Sequence, residues 1–252
     1  MPSALFDLTN TTALVTGASR GIGQAMAVGL AQAGADIVAA ARSETGLDET
    51  RALVEACGRR CTVLPLDVTD RKAVAALADL DGPPTILVNN AGMEEVSPST
   101  DVSEALWDRI VDTNLKGAFF VAQAFAKGLM ARGLGGSIIN LGSLTSAAGV
   151  PTAVPYTASK AGILGMTRAL CAEWAPHGIR VNAIGPGYFR TELTEVFYQD
   201  DAWQEAMRAK IPMGRFGDLE DLKGAAVFLA SNASAYVTGQ IVYVDGGTLA
   251  SL

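Results

Sequence analysis

Short apolar runs rich in β-branched residues alternate along the whole chain with longer Ala/Leu-rich amphipathic stretches. This alternation constrains the fold most, because strands joined in sequence by helices pair in parallel through right-handed crossovers. Strands are read at residues 12–16, 36–40, 62–66, 86–89, 137–141, 180–183 and 240–244, and helices near 22–32, 46–56, 71–80, 104–132, 158–174 and 219–230. No hairpin signal joins two strands, so an α/β, doubly wound parallel sheet with helices on both faces is expected. A chain of 252 residues, 49% hydrophobic, suits one such domain over 1–252. The stretch 188–218 departs from the pattern with aromatics, acids and Pro212, as a partly helical substrate loop or lid would.

Composition removes several chemistries. The single histidine, His177, excludes a multi-histidine metal site, and no metal is expected; a Ser-His-Asp hydrolase would depend on that residue alone. Between Pro176 and Gly178 it is expected to be structural or at the surface. A net charge of −7 without a basic run argues against nucleic acid. Residues 1–12 contain Asp7 but no basic residue, and no apolar run reaches membrane-spanning length, so a soluble cytoplasmic protein is expected. Cys57, Cys61 and Cys171 lack zinc-type spacing and read as idle thiols.

The first strand runs into Gly17-Ala18-Ser19-Arg20-Gly21-Ile22-Gly23 and then a helix. Gly17 permits a tight turn, Gly21 lets the backbone approach a pyrophosphate, and Gly23 allows close helix-sheet packing, which together make a dinucleotide site at a helix N-terminus. After the second strand, Arg42 and Ser43 stand where a carboxylate would otherwise hold a ribose 2′-hydroxyl, and Arg20 lies in the turn. Arginine there accommodates a 2′-phosphate, so NADP(H) is preferred over NAD(H).

Tyr156 and Lys160 are four apart and share a helix face, so their heads can converge on one ligand. An ammonium near a phenol favours the phenolate, making a tunable proton donor. Residues 16–23, Asn89-Asn90-Ala91-Gly92, Asn114, Ser143, Tyr156 to Lys160 and Pro186-Gly187 occur in this order. Together they resemble the motifs of the short-chain dehydrogenase/reductase family over essentially the whole chain.

The resemblance implies a Rossmann-type sheet of seven strands, a nicotinamide cofactor, and a homotetramer or homodimer built on the two long helices. By the same resemblance Tyr156 is the general acid-base, Ser143 holds the substrate oxygen, Lys160 binds the nicotinamide ribose, and Asn114 supports a water. Asp67 and Val68 resemble the pair that meets the adenine. Asn89, Ala91 and Gly92 belong to the segment beside its ribose, and Pro186, Gly187, Phe189 and Thr191 to the loop around the nicotinamide. Glu94, Thr145 and Tyr188, with Ser143 and Tyr156, are the candidate substrate contacts, the substrate being a small carbonyl or alcohol compound.

Among subgroups the chain looks most like that of gluconate 5-dehydrogenases, 2-deoxygluconate 3-dehydrogenases and acyl-carrier-protein ketoreductases. Phe6-Asp7-Leu8 and the ending Val244-Asp245-Gly246-Gly247-Thr248 lean towards the sugar-acid members. A carrier-protein ketoreductase is the alternative, with Lys127 and Arg132 as a local docking patch on an otherwise acidic chain. A non-catalytic nucleotide-binding scaffold is the remaining reading, against which the intact Asn114, Ser143, Tyr156 and Lys160 set argues.

Overall fold

Apolar residues alternate in address along each strand of this computed structural model, which describes residues 4–190 and 199–251. Ala13 and Val15 enter one core and Leu14 the other; Ile86 and Val88 are likewise opposed to Leu87. The strands are β1 (Thr12–Thr16), β2 (Asp36–Ala41), β3 (Cys61–Pro65), β4 (Ile86–Asn89), β5 (Gly136–Leu141), β6 (Ile179–Pro186) and β7 (Ile241–Val244). They form one parallel seven-stranded sheet in the order β3-β2-β1-β4-β5-β6-β7. Strands buried on both sides favour the near-continuous Val/Ile/Leu runs seen in the sequence.

Helices α1 (Gly21–Gln32), α2 (Asp48–Ala56) and α8 (Glu220–Ala230) contribute Met26, Val54 and Leu222 to one core. Helices α3 (Arg71–Ala75), α5 (Ala118–Met130) and α6 (Val154–Trp174) contribute Val74, Phe125 and Leu170 to the other. The expected Rossmann-type, doubly wound arrangement is therefore present. The chain crosses from β3 over to β4, beside β1, which leaves a crevice at the carboxyl ends of β1 and β4 where such folds receive ligands.

Two elements differ from expectation, and the partly helical reading of 188–218 agrees with the described part of that stretch. The helix expected over 104–132 is divided into α4 (Glu104–Val111) and α5 by a π-helical turn, Asp112–Gly117. Asn114 is drawn into hydrogen bonds with Met93, and a Cβ on Gly117 would meet Val68 Cγ2 at 3.0 Å, so the widened turn accommodates a close approach. Helix α6 starts at Val154 rather than 158, helped by Pro155 in its first turn, where the missing N–H costs nothing. In the 188–218 stretch, α7 (Asp201–Lys210) is capped by Asp200, whose Oδ1 accepts from Ala202 N and Trp203 N at 2.9 and 3.1 Å. Among the described residues, no helix is long and apolar enough to cross a membrane.

Candidate active site

Where β1 meets α1 the backbone turns through left-handed conformations at Gly17 (φ 64°) and Gly21 (φ 57°), which side chains disfavour. A Cβ on Gly17 would lie 2.8 Å from Asn90 Nδ2 and 2.9 Å from Ala91 Cα. At Gly23 the limiting neighbour is the Gly17 carbonyl oxygen, so this glycine closes the turn upon itself, where helix-sheet packing was expected. Asn90 Nδ2 donates to the Thr16 and Gly17 carbonyls at 3.0 and 3.1 Å, and Thr16 Oγ1 accepts from the N–H groups of Asn90 and Ala91, both at 3.0 Å. Asn90 and Thr16 thus stitch the crevice, a role that their motif positions alone did not reveal. Helix α1 has no side-chain cap, with Arg20 extended at its start and Ser19 and Ile22 partly accessible beside it. A glycine cradle at an uncapped helix N-terminus fits a dinucleotide diphosphate.

Arg42 and Ser43 are exposed just beyond β2, where Ser43 Oγ lies 3.0 Å from Thr45 Oγ1. Asp67 accepts from Thr69 N and Oγ1 at 2.8 and 2.7 Å, and these bonds hold its carboxyl below the usual range, with smaller help from Arg42 and Arg71. Val68 beside it is buried. Asn89 is buried as well, donating from Nδ2 to the Ala118 carbonyl at 2.7 Å and to Asn140 Oδ1 at 3.3 Å. Its amide is spent inside the sheet, and the part of this segment open to a nucleotide is Ala91 and Gly92.

Four residues named for the chemistry converge beyond β5. Lys160 is 5% exposed and donates from Nζ to the Leu141 carbonyl at 2.8 Å, its ammonium 5.5 Å from the Tyr156 ring centroid. Ser143 is buried, hydrogen-bonded to the Tyr156 phenol, and its Oγ accepts from Thr145 N at 3.2 Å. Ser146 Oγ ties this turn to α6, accepting from Ser143 N at 3.2 Å and donating to the Lys160 carbonyl at 2.8 Å. Asn114 is 1% exposed, exchanges two 2.8 Å bonds with the Met93 backbone, and reaches Ser159 Oγ at 3.3 Å, which in turn donates to the Tyr156 carbonyl at 2.7 Å. Ser146 and Ser159 went unnoticed because serine in a helix or turn carries no spacing signal of its own.

Electrostatics here depart from one expectation. Burial pushes the Tyr156 phenol above its ordinary pKa, Glu94 adds to the rise, and the Ser143 bond only opposes it. Lys160 does not bring the phenol below its ordinary value. Its ammonium is directed at the Leu141 carbonyl, and its own pKa is brought down to about 8 by burial, against the pull of Glu94. Tyr156 is therefore held as a protonated acid. Thr145 is buried, and its Oγ1 has no partner among the described residues.

The loop after β6 is anchored by Gly187 N donating to the Val244 carbonyl at 2.9 Å, and a Cβ on Gly187 would meet Asp245 Cα at 2.7 Å. Pro186 belongs to β6 itself and is buried. Phe189 is 4% exposed and packs into the core against Gly217, so its ring is a floor beneath the loop rather than a contact surface for a cofactor. Tyr188 is half-buried, edge-on to Trp203 at 6.1 Å, and lines a cavity of about 220 Å³ with Met213, Arg215 and Asp245. Thr191 lies outside the described residues. His177 is exposed in a turn after α6, away from these groups. Arg132 donates to the carbonyls of Ala78, Leu80 and Gly128, which occupies the side chain expected to form a docking patch with Lys127.

A parallel sheet with a glycine turn at its switch point and a Ser-Tyr-Lys cluster beside it defines a class of nucleotide-dependent oxidoreductase. The chain belongs to the short-chain dehydrogenase/reductase family. The family model described as enoyl-(acyl carrier protein) reductase matches residues 17–248. The chain is 42% identical to a gluconate 5-dehydrogenase of Gluconobacter oxydans over 98% of each chain. It is 45% identical to a 2-dehydro-3-deoxy-D-gluconate 5-dehydrogenase of Escherichia coli over 97% of this chain and 98% of that one. A gluconate 5-dehydrogenase of Burkholderia cenocepacia, solved with NADP and tartrate, superposes with a TM-score of 0.95 at 39% identity, covering 99% of both chains.

Proposed function

We propose that this protein transfers hydride between NADP(H) and a ketone or secondary alcohol of a small polyhydroxylated sugar acid, with Tyr156 as the general acid-base. The observation that carries the reading is the convergence of a half-buried, protonated Tyr156 with buried Ser143 and Lys160 at the carboxyl end of β5. The sugar-acid class follows the relatives' names, and NADP follows the solved relative together with Arg42.

Gly17, Gly21, Gly23 and the start of α1 would hold the diphosphate, Arg42, Ser43 and Arg20 the 2′-phosphate, and Asp67 and Val68 the adenine. Ala91 and Gly92 would border its ribose, Lys160 would hold the nicotinamide ribose, and Pro186 and Gly187 would shape the nicotinamide end. When bound, the cofactor supplies or accepts the hydride. In the reducing direction Tyr156 Oη releases its proton to the substrate oxygen, while the Ser143 hydroxyl stabilises the charge developing there. Burial keeps that proton in place until the oxygen becomes basic, and Lys160 supplies positive charge beside the phenolate left behind. Alcohol oxidation uses the same groups in reverse. The resemblance also supports a homodimer or homotetramer: Trp107 and Val154, on α4 and at the start of α6, are 39% and 43% exposed around a common hollow.

The cofactor assignment is tested by following nicotinamide absorbance with 5-keto-D-gluconate as oxidant. We expect kcat/KM to be at least about tenfold higher with NADPH than with NADH, and Arg42→Asp to reverse the order by losing a charge-assisted phosphate contact. A parent that prefers NADH overturns the reading of β2.

A further inference from the structure

Glu94 lies on the segment leaving β4, and its neighbours fix where that segment runs. Met93 is clamped by Asn114 through two bonds of 2.8 Å, and Ser97 N donates to the Thr152 carbonyl at 2.8 Å. Residues 93–97 are thereby strapped across the start of α6, where Tyr156 and Lys160 stand. Glu95 turns outward to an exposed ion pair with Arg109, while Glu94 is half-buried on the inner side. Among the described residues no hydrogen bond or ion pair engages the Glu94 carboxylate. It is nevertheless close enough to act on both Tyr156 and Lys160, and burial raises its own proton affinity against the pull of Lys160.

A partly desolvated carboxylate without a donor is costly, and a substrate hydroxyl is the donor that a polyol brings. A substrate carboxylate at the same place would set two anions together at low dielectric. We infer that Glu94 is a specificity-determining residue of the reaction proposed above, accepting from a hydroxyl beside the reacting carbon and keeping any substrate carboxylate away from that carbon. The substrate class is then a polyhydroxylated ketone or alcohol whose acid group, where it has one, lies several carbons from the reaction centre.

The inference rests on the proposed hydride transfer, and a matched pair of ketones separates the two. 5-Keto-D-gluconate carries its carboxylate far from the ketone, and 2-keto-D-gluconate carries it adjacent. With NADPH, the parent should favour the first by at least about tenfold in kcat/KM, the size of effect one repelled charge produces. Glu94→Gln, which keeps the shape and removes the charge, should lower that ratio at least about fivefold, chiefly by improving the 2-keto compound. Glu94→Asp, which keeps the charge, should hold the ratio within about threefold. A parent that prefers the 2-keto compound, or an unchanged ratio in Glu94→Gln with parent turnover intact, overturns the role of Glu94 and leaves the hydride transfer standing. Turnover of neither ketone by the parent overturns the proposed reaction and the inference with it.

Discussion

Lys160 is an ammonium inside the protein, and burial brings its pKa from 10.5 down to about 8. Between those values the unfolded chain binds a proton that the folded chain has released, so folding stability rises with pH in that window. The penalty of the buried charge is fully present below pH 8. Tyr156 shifts the opposite way: its folded form keeps a proton that an unfolded phenol begins to lose near 10, so stability falls above that value. From pH 8 to 10 the urea-unfolding free energy of the parent should therefore rise relative to Lys160→Met, by up to about 3 kcal/mol over the two units. Parallel curves for the two proteins would contradict the burial of the charge. The sequence placed Tyr156 and Lys160 on one face from their spacing alone. It could not show which of burial and ammonium wins at the phenol, because that balance depends on the Leu141 carbonyl and on Glu94, both remote in sequence.

At the scale of elements, the strands lie within a few residues of where their apolar runs placed them, because burial on both faces leaves an unbroken β-branched signature. The π-helical turn at Asp112–Gly117 had no such signature. It exists because Asn114 reaches Met93 and Gly117 reaches Val68, contacts that no local pattern encodes. The glycine turn is intermediate. Its dihedral demands were legible from Gly17 and Gly21, but the staple across it, Asn90 to the Thr16 and Gly17 carbonyls, is a pairing of β1 with β4. Removing that amide in Asn90→Ala should cost about 1–3 kcal/mol in urea unfolding, the penalty of unpaired buried acceptors, and weaken NADPH binding about tenfold as the turn loosens. Wild-type values for both would show that the staple holds nothing.

For the whole molecule, the strand order matters more than any one contact, since it brings the ends of β1, β4 and β5 side by side. Residues as distant in sequence as Gly17, Asn114, Ser143 and Tyr156 become neighbours of one crevice through it. Polar groups extend this coupling into the interior, where Asn89 on β4 reaches Asn140 on β5, whose Nδ2 donates to Thr167 Oγ1 on α6 at 3.0 Å. Such satisfied buried amides fix the relative positions of sheet and helix, and with them the geometry of Lys160 against Leu141. The motif order in the sequence made the fold and the grouping of Ser143, Tyr156 and Lys160 legible. The excursion over 188–218 was legible only as a departure, because its contacts, such as Trp203 stacked on Phe216 at 6.1 Å, are set by the loop itself rather than by a repeating pattern. A half-buried tyrosine proton serves the proposed hydride transfer in this crevice, and Tyr156→Phe isolates it. Measured with NADPH and 5-keto-D-gluconate, that variant should lose at least about a hundredfold in kcat while its NADPH Kd and thermal midpoint stay at parent values. Retention of parent-like kcat in a folded, NADPH-binding Tyr156→Phe protein would contradict the account.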